Sequence, residues 1–322
     1  MWSFKPNLKQ VIWGGEKIIP FRRLNSNLDK IGESWEISAV DGMESIVADA
    51  GEDYGLTLTS LVEKYNGALL GEKNFERFGN NFPILVKFID AGENLSVQVH
   101  PDDETARNMG APRGKNEFWY VLESDNGACI ANGLTRSFSR EEYVKLIESG
   151  DIMNYLTFHN VKKGDRYFIP AGRVHAIGKG TFLLEIQQTS DLTFRIYDYD
   201  RIDKKTGKKR PLQTEEAFDA IKFNEPKTVD SLHDTPCNGS INLVNEEFFT
   251  INLVKGKDNV SRSYKDIDSF VIVTCLEGNV KIKEGDQSRQ LQRGDSILIA
   301  ATAESVEIES HSPFELVETF IL

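Results

Sequence analysis

The sequence predicts a mainly β protein built as two β-barrels, with helical insertions confined to the N-terminal half. Three observations lead there. Short apolar runs, many alternating with polar residues and bounded by Gly, Pro, Asn or Asp, fill most of the chain. Helical spacing appears in only a few places. A glycine–proline–histidine pattern at 164–175 recurs at 294–305 with the proline, second glycine and histidine replaced.

Residues 10–50 alternate apolar stretches with Gly and charged residues, as entry strands do. The period then changes: Leu58, Leu61, Val62, Tyr65 and Leu69 recur at helical spacing, so one or two helices interrupt the strands within 55–80. Residues 95–101 form a patterned strand with Ser96, Gln98 and His100 on one face and Leu95, Val97 and Val99 on the other. Residues 117–122, rich in aromatic and β-branched side chains, place Lys115, Glu117 and Trp119 on a common side. Ser139, with Glu142 three residues on and Tyr143, Leu146 and Ile147 following, signals a capped helix and a second insertion over 139–156. A strand over 166–169 is stopped by Pro170 and bent by Gly172, which delivers His175 to a rim. Strands continue to about Tyr199. Residues 214–221 read as a short helix, capped by Thr214 with two glutamates in its first turn. The polar stretch 224–239, with Pro226 and Pro236, is the linker, so the first unit is 1–223 and the second 240–322.

In the second unit, 248–254, 269–277, 279–283, 296–300, 306–308 and 316–321 read as strands, with no helical stretch, which fits a small barrel or sandwich. Gly294-x5-Ala300-x-Thr302-x2-Ser305 repeats the spacing of Gly164-x5-Pro170-x-Gly172-x2-His175 without its histidine. The second unit is therefore expected to be a degenerate copy without a metal site, and His311 is expected to be an ordinary surface histidine.

Composition excludes several classes. With 39% hydrophobic and 27% charged residues the chain is of ordinary globular type. A net charge of −12 argues against nucleic acid or an anionic membrane as partner. No apolar run is long enough to span a bilayer, and the start lacks the apolar core of a signal peptide, so the expected location is the cytoplasm. Cys129, Cys237 and Cys275 are odd in number and widely spaced, which predicts reduced thiols. His159 and His233 fall in loop-like contexts and are read as structural or solvated.

Gln98, His100, Glu117 and His175 come from three separate strand-like segments. Two imidazoles, a carboxylate and an amide oxygen suit a borderline divalent cation, zinc above others, with a position open for water or substrate. The run from Gly164 to His175 resembles the second signature of the cupin barrels. Residues 82–88, 95–103 and Lys115-x-Glu117 together resemble the type I mannose-6-phosphate isomerases, as do Trp13-Gly14-Gly15, Gly32-Glu33-Ser34-Trp35-Glu36 and the run Asp191 to Arg201, which resemble the shorter bacterial form. The likeness covers residues 1 to about 215.

That resemblance implies two cupin-like barrels of jelly-roll type and a zinc-dependent aldose–ketose isomerase. Its substrate is implied to be a small sugar phosphate, converted between mannose 6-phosphate and fructose 6-phosphate through a cis-enediol. It implies one zinc per chain, substrate phosphate near Lys87 and Ser96, a catalytic Arg195, and proton transfer by Lys115 or Glu185. Read without the resemblance, Lys87 is an edge-strand lysine and Arg195 the partner of Asp191 or Asp198. A metal-bearing sugar sensor and an iron dioxygenase are the other readings the ligand set allows. Oligomeric state is not legible here; a monomer or weak dimer is the expectation.

Overall fold

The computed structural model describes residues 1–203, 206–223, 230–231 (backbone) and 239–322. The linker expected over 224–239, with His233 and Cys237, lies outside them except for its end and the Asp230–Ser231 strand. Four main sheets stack in the order five-stranded, seven-stranded, seven-stranded, four-stranded, with apolar clusters in each gap.

The period of two explains the stack. On the N-terminal seven-stranded sheet, Ile84, Val86, Phe88, Phe118, Tyr120, Phe182, Leu184 and Ile186 point one way. They pack on Ile251, Leu253, Ile272, Leu298 and Val317 of the C-terminal seven-stranded sheet. The intervening residues, Ile89, Trp119, Val121 and Leu183, face the five-stranded sheet, where they meet Ile130 and Ile177. Fully burying such a side chain contributes about 1.5–3 kcal/mol, so both faces of this sheet specify its register.

The mainly β class holds, but the barrels are corrected. Among the described residues the edge strands of facing sheets are not hydrogen-bonded to one another, so each half is an open two-sheet sandwich closed by side-chain packing. The halves repeat one topology. Sheet order Asp165–Ile169, Glu117–Ser124, Thr181–Gln188, Ile84–Asp90 in the first is matched by Ser296–Ile299, Val271–Glu277, Phe314–Phe320, Phe249–Gly256 in the second. Gly164 and Gly294 both turn at φ +91°, a left-handed conformation that favours glycine. Carried through the register, Val271 stands where Glu117 does, Ser305 where His175 does, and Glu318 where Glu185 does. Glu318 is buried against Arg262 and Tyr264, which fill the corresponding space.

Local expectations fare unevenly. Three helices, Leu58–Tyr65, Gly67–Leu70 and Glu72–Phe78, occupy the first insertion, where one or two were expected. Ser139 caps Arg140–Ser149 through Glu142 N, as read. Thr214 is instead the first helical residue of Thr214–Ala220; Gln213 precedes it and makes no side-chain cap. Asp103–Asn108, Gly239–Glu246, Val260–Ser263 and Gln287–Gln292 were not foreseen. His159 lies in the Leu156–Asn160 strand rather than a loop, and His311 is exposed. Cys129 and Cys275 are free thiols. The Trp2–Lys5 strand joins the C-terminal seven-stranded sheet, pairing with Ser296–Ile299. No helix among the described residues is long and apolar enough to cross a membrane.

Candidate metal centre

Two rows of side chains face each other across the N-terminal sandwich. On the seven-stranded sheet, cross-strand pairing sets Trp119, Glu185, Lys87 and Trp35 side by side on consecutive strands. On the five-stranded sheet it sets Asn132, His175, Gln98 and Arg195 in a row. Lys87 is therefore not on an edge strand: Ile84–Asp90 runs between Thr181–Gln188 and Ile31–Ile37. Glu117 lies two residues before Trp119, on the same face.

The register brings His100, Glu117 and His175 together, all buried, with candidate ligand atoms within 4.8 Å of one another. His100 Nδ1 lies 2.9 Å from the Leu192 carbonyl and His175 Nδ1 2.9 Å from the Arg173 carbonyl. Only a protonated Nδ1 can donate to a carbonyl, so both Nε2 atoms carry lone pairs. Those Nε2 atoms stand 3.2 Å and 3.6 Å from the two oxygens of Glu117. The Gln98 amide adds a polar atom 3.3 Å from His175 Nε2, and rotating the amide by 180° would present its oxygen there. Electron-rich atoms converging in a buried space repel one another unless a cation lies among them. Lys115 meets part of that need, with Nζ 2.6 Å from Glu117 and 3.3 Å from His100 Nε2. Neither Glu117 oxygen has a well-aligned hydrogen bond. This donor set fits a divalent cation.

Electrostatics agree. Burial pushes the His175 imidazole down to about 3, and burial followed by the Lys115 charge lowers His100, so both imidazoles are neutral at neutral pH. Burial alone would raise Glu117, but the opposing interactions, that with the Lys115 charge foremost, hold the carboxyl well below its usual range. Glu185 goes the other way, to about 7, through burial and the charge of Glu117, opposed by Lys87 and Lys115. Lys87 is kept protonated: burial lowers it, but Glu185 at 3.0 Å and Glu33 at 3.6 Å more than compensate. Trp119 Nε1 donates to Glu185 at 3.2 Å, and Trp35 Nε1 to Glu33 at 2.6 Å.

Asn116 joins the segments that carry these groups. Its backbone N and side-chain Nδ2 both donate to Gln188 Oε1, at 3.0 and 2.7 Å, and its Oδ1 accepts from Ala171 N at 2.8 Å. Gln188 in turn donates to Asp103, which also accepts from Gly114 N. Gly172 follows at φ +92°, and a β-carbon there would meet Lys222 at 2.7 Å.

Arg195 pairs with Gln98 along the backbone, and its guanidinium donates to the Pro211 carbonyl at 2.9 Å. It forms no ion pair with a carboxylate among the described residues: Asp198 is held by Arg201 and Arg210, and Asp191 by Lys9. Arg195 is half-buried, and its buried Nε has no hydrogen-bond partner. The structure thus places Arg195 in the row, with no hydrogen bond or ion pair to His100, Glu117 or His175. Ser96 is buried just before the Val97–Val99 strand. Glu33, Asn132 and the Asn116–Gln188 clamp escaped sequence reasoning; Glu33 lay within the Gly32–Glu36 motif, whereas Asn132 and Gln188 carry no motif.

Residues 1–130 match the family described as phosphomannose isomerase type I, catalytic domain, and residues 240–318 that described as mannose-6-phosphate isomerase, cupin domain. A mannose-6-phosphate isomerase of Streptococcus mutans is 34% identical over 92% of this chain and 92% of its own. One from Bacillus subtilis is 33% identical over 96% of both. The crystal structure of the Bacillus subtilis mannose 6-phosphate isomerase superposes with a TM-score of 0.87 at 31% identity, covering 99% of this chain and 98% of that one. Identity of this extent, spread along nearly the whole of both chains and set on the same backbone, means that the chain belongs to the type I mannose-6-phosphate isomerase family.

Proposed function

We propose that the protein interconverts mannose 6-phosphate and fructose 6-phosphate through a cis-enediol, with zinc held by Gln98, His100, Glu117 and His175. The observation that carries this reading is the convergence of two imidazole lone pairs and a carboxylate in one buried space, in a chain related over its length to enzymes of that name. Bound zinc supplies Lewis acidity towards the sugar oxygens.

The protein's own side chains do the rest. Lys87, protonated and buried, attracts the substrate phosphate, and the Ser96 hydroxyl donates to it. Glu185, close to neutrality in pKa, suits a group that takes and returns a proton. Lys115, 2.6 Å from Glu117 and 3.9 Å from Glu185, is the other proton carrier, and loss of substrate C2 hydrogen exchange in E185Q or in K115M assigns the role to one of them. The Arg195 guanidinium, unpaired with any described carboxylate, stabilises negative charge developing on the enediolate oxygens. Residues 1–223 form the catalytic unit, joined by the 224–239 linker to a second unit whose packing covers the catalytic sheet. The location we propose is the cytoplasm.

The test is fructose 6-phosphate formation from mannose 6-phosphate by the purified protein as prepared, after chelation, and after zinc is returned. Activity should vanish on chelation and reappear with zinc. A folded, zinc-loaded protein with no turnover overturns the proposal.

A further inference from the structure

A cleft of about 530 Å³ opens on the far side of the Asn116–Gln188 clamp, away from the metal ligands. Gln188 follows Gln187, which shares the face of Glu117 and Glu185, so by the strand period it points to the opposite face. Three guanidinium groups line the cleft, those of Arg77, Arg107 and Arg113, with Phe78 and Phe248 beside them.

The charges are incompletely matched. Arg77 is ion-paired to Glu247 at 2.6 Å. Arg113 has no ion pair among the described residues, although it is only partly exposed and stacks 4.6 Å from the Phe78 ring centre. The Arg77 guanidinium lies 4.8 Å from the same centre, so one ring holds two like charges close together. Arg107, exposed on the last turn of the Asp103–Asn108 helix, also lacks an ion pair among the described residues. Two carboxylates line the cleft: Glu247 is ion-paired to Arg77, and Asp103 accepts through Oδ1 from the uncharged Gly114 N and Gln188 Nε2. Burial lowers the Arg113 pKa; the Asp103 charge opposes it, and the Arg77 charge adds a smaller push downward, so Arg113 is a largely desolvated cation.

We propose that this cleft is a second anion site, built for a phosphate-bearing small molecule, in which Arg107 and Arg113 contact the phosphate oxygens and Phe78 and Phe248 pack against an organic moiety. Planar guanidinium forks suit phosphate oxygens, and a dianion there relieves the repulsion that two stacked arginines create. Gln188 walls the cleft and clamps Asn116, so the site stands one hydrogen-bonded step from the segment bearing Lys115 and Glu117.

Titration calorimetry of the full chain with inorganic phosphate and with phenyl phosphate tests this, because binding at the cleft must respond to changes made there. Arg107→Glu alters only an exposed residue, and Arg113→Lys keeps the charge while removing the fork. In the wild type, two phosphates should bind per chain; in R107E one of the two sites should weaken at least tenfold, and in R113K it should weaken less. Phenyl phosphate tighter than phosphate identifies an organic phosphate as the occupant, and equal affinities identify the free anion. Isotherms of R107E and R113K that superimpose on the wild type overturn the proposal, as does a single phosphate per chain in all three proteins.

Discussion

Lys87 offers the sharpest test of the electrostatics of the site. Its ammonium lies 3.0 Å from Glu185 and 3.6 Å from Glu33, and all three side chains are largely withdrawn from water. At an effective dielectric constant of about 20 these contacts amount to roughly 5–6 and 4–5 kcal/mol of gross attraction, most of it offsetting desolvation. Lys87→Met leaves both carboxylates without that cation, and breaking a buried pair in this way costs about 3–5 kcal/mol. Urea unfolding monitored by tryptophan fluorescence reads the loss. The pH response has a definite sign: without Lys87 the Glu185 carboxyl, already at about 7, moves higher and takes up a proton, so the deficit should be smaller at pH 6 than at pH 8. The double variant K87M/E185Q should recover about 2 kcal/mol or more relative to the sum of the single changes. A deficit below about 1 kcal/mol at pH 8, or strict additivity in the double variant, would refute the reasoning.

Three further outcomes are expected. Arg195→Ala should lower turnover about 100-fold or more while zinc per chain, measured by atomic absorption, stays constant; parallel loss of both would remove Arg195 from its assigned role. His175 titrates at about 3 in the fold against 6.5 in a free side chain, so its contribution to stability is complete above 6.5 and declines as pH falls towards 3. The chelated protein should thus lose about 2 kcal/mol through this residue between pH 6.5 and 5, and His175→Gln, compared by denaturant midpoint, should be flatter by that amount. Tyr120→Phe deletes the 2.7 Å bond from its hydroxyl to buried Glu315 across the two central sheets; a cost of about 1.5–3 kcal/mol in unfolding free energy is expected, and a loss indistinguishable from zero would show that Lys255, 2.8 Å from Glu315, suffices alone.

The grouping of His100, Glu117 and His175 was legible because it rests on local pattern. The period of two sent Gln98 and His100 to one face, and Pro170 with Gly172 set the turn before His175. Glu185 entered through resemblance, and only the cross-strand pairing with Lys87 and Trp119 shows why a glutamate there is buried among charges. Residues that act at long range in sequence stayed hidden. Asn116 is unremarkable until Gln188 and Ala171 come beside it, 72 and 55 residues away. Sheet closure was misjudged for the same reason: alternation says which face is buried, and not whether two sheet edges will pair. The strands that went unread, such as Val260–Ser263 and Gln287–Gln292, are mostly polar and half exposed, and their place comes from neighbouring strands rather than from their own apolar content.

The pairing of Trp2–Lys5 with Ser296–Ile299 has a consequence for biosynthesis. The Trp2–Lys5 strand is made long before Ser296–Ile299, the strand beside it in the sheet. At about 5–20 residues per second, that is an interval on the order of 15–60 s during which this strand has only its other neighbour, Ile46–Val47, to pair with. The C-terminal seven-stranded sheet can be completed only when both of these strands have been made. The central core, which includes Leu298, can close only after Ser296–Ile299 has been made.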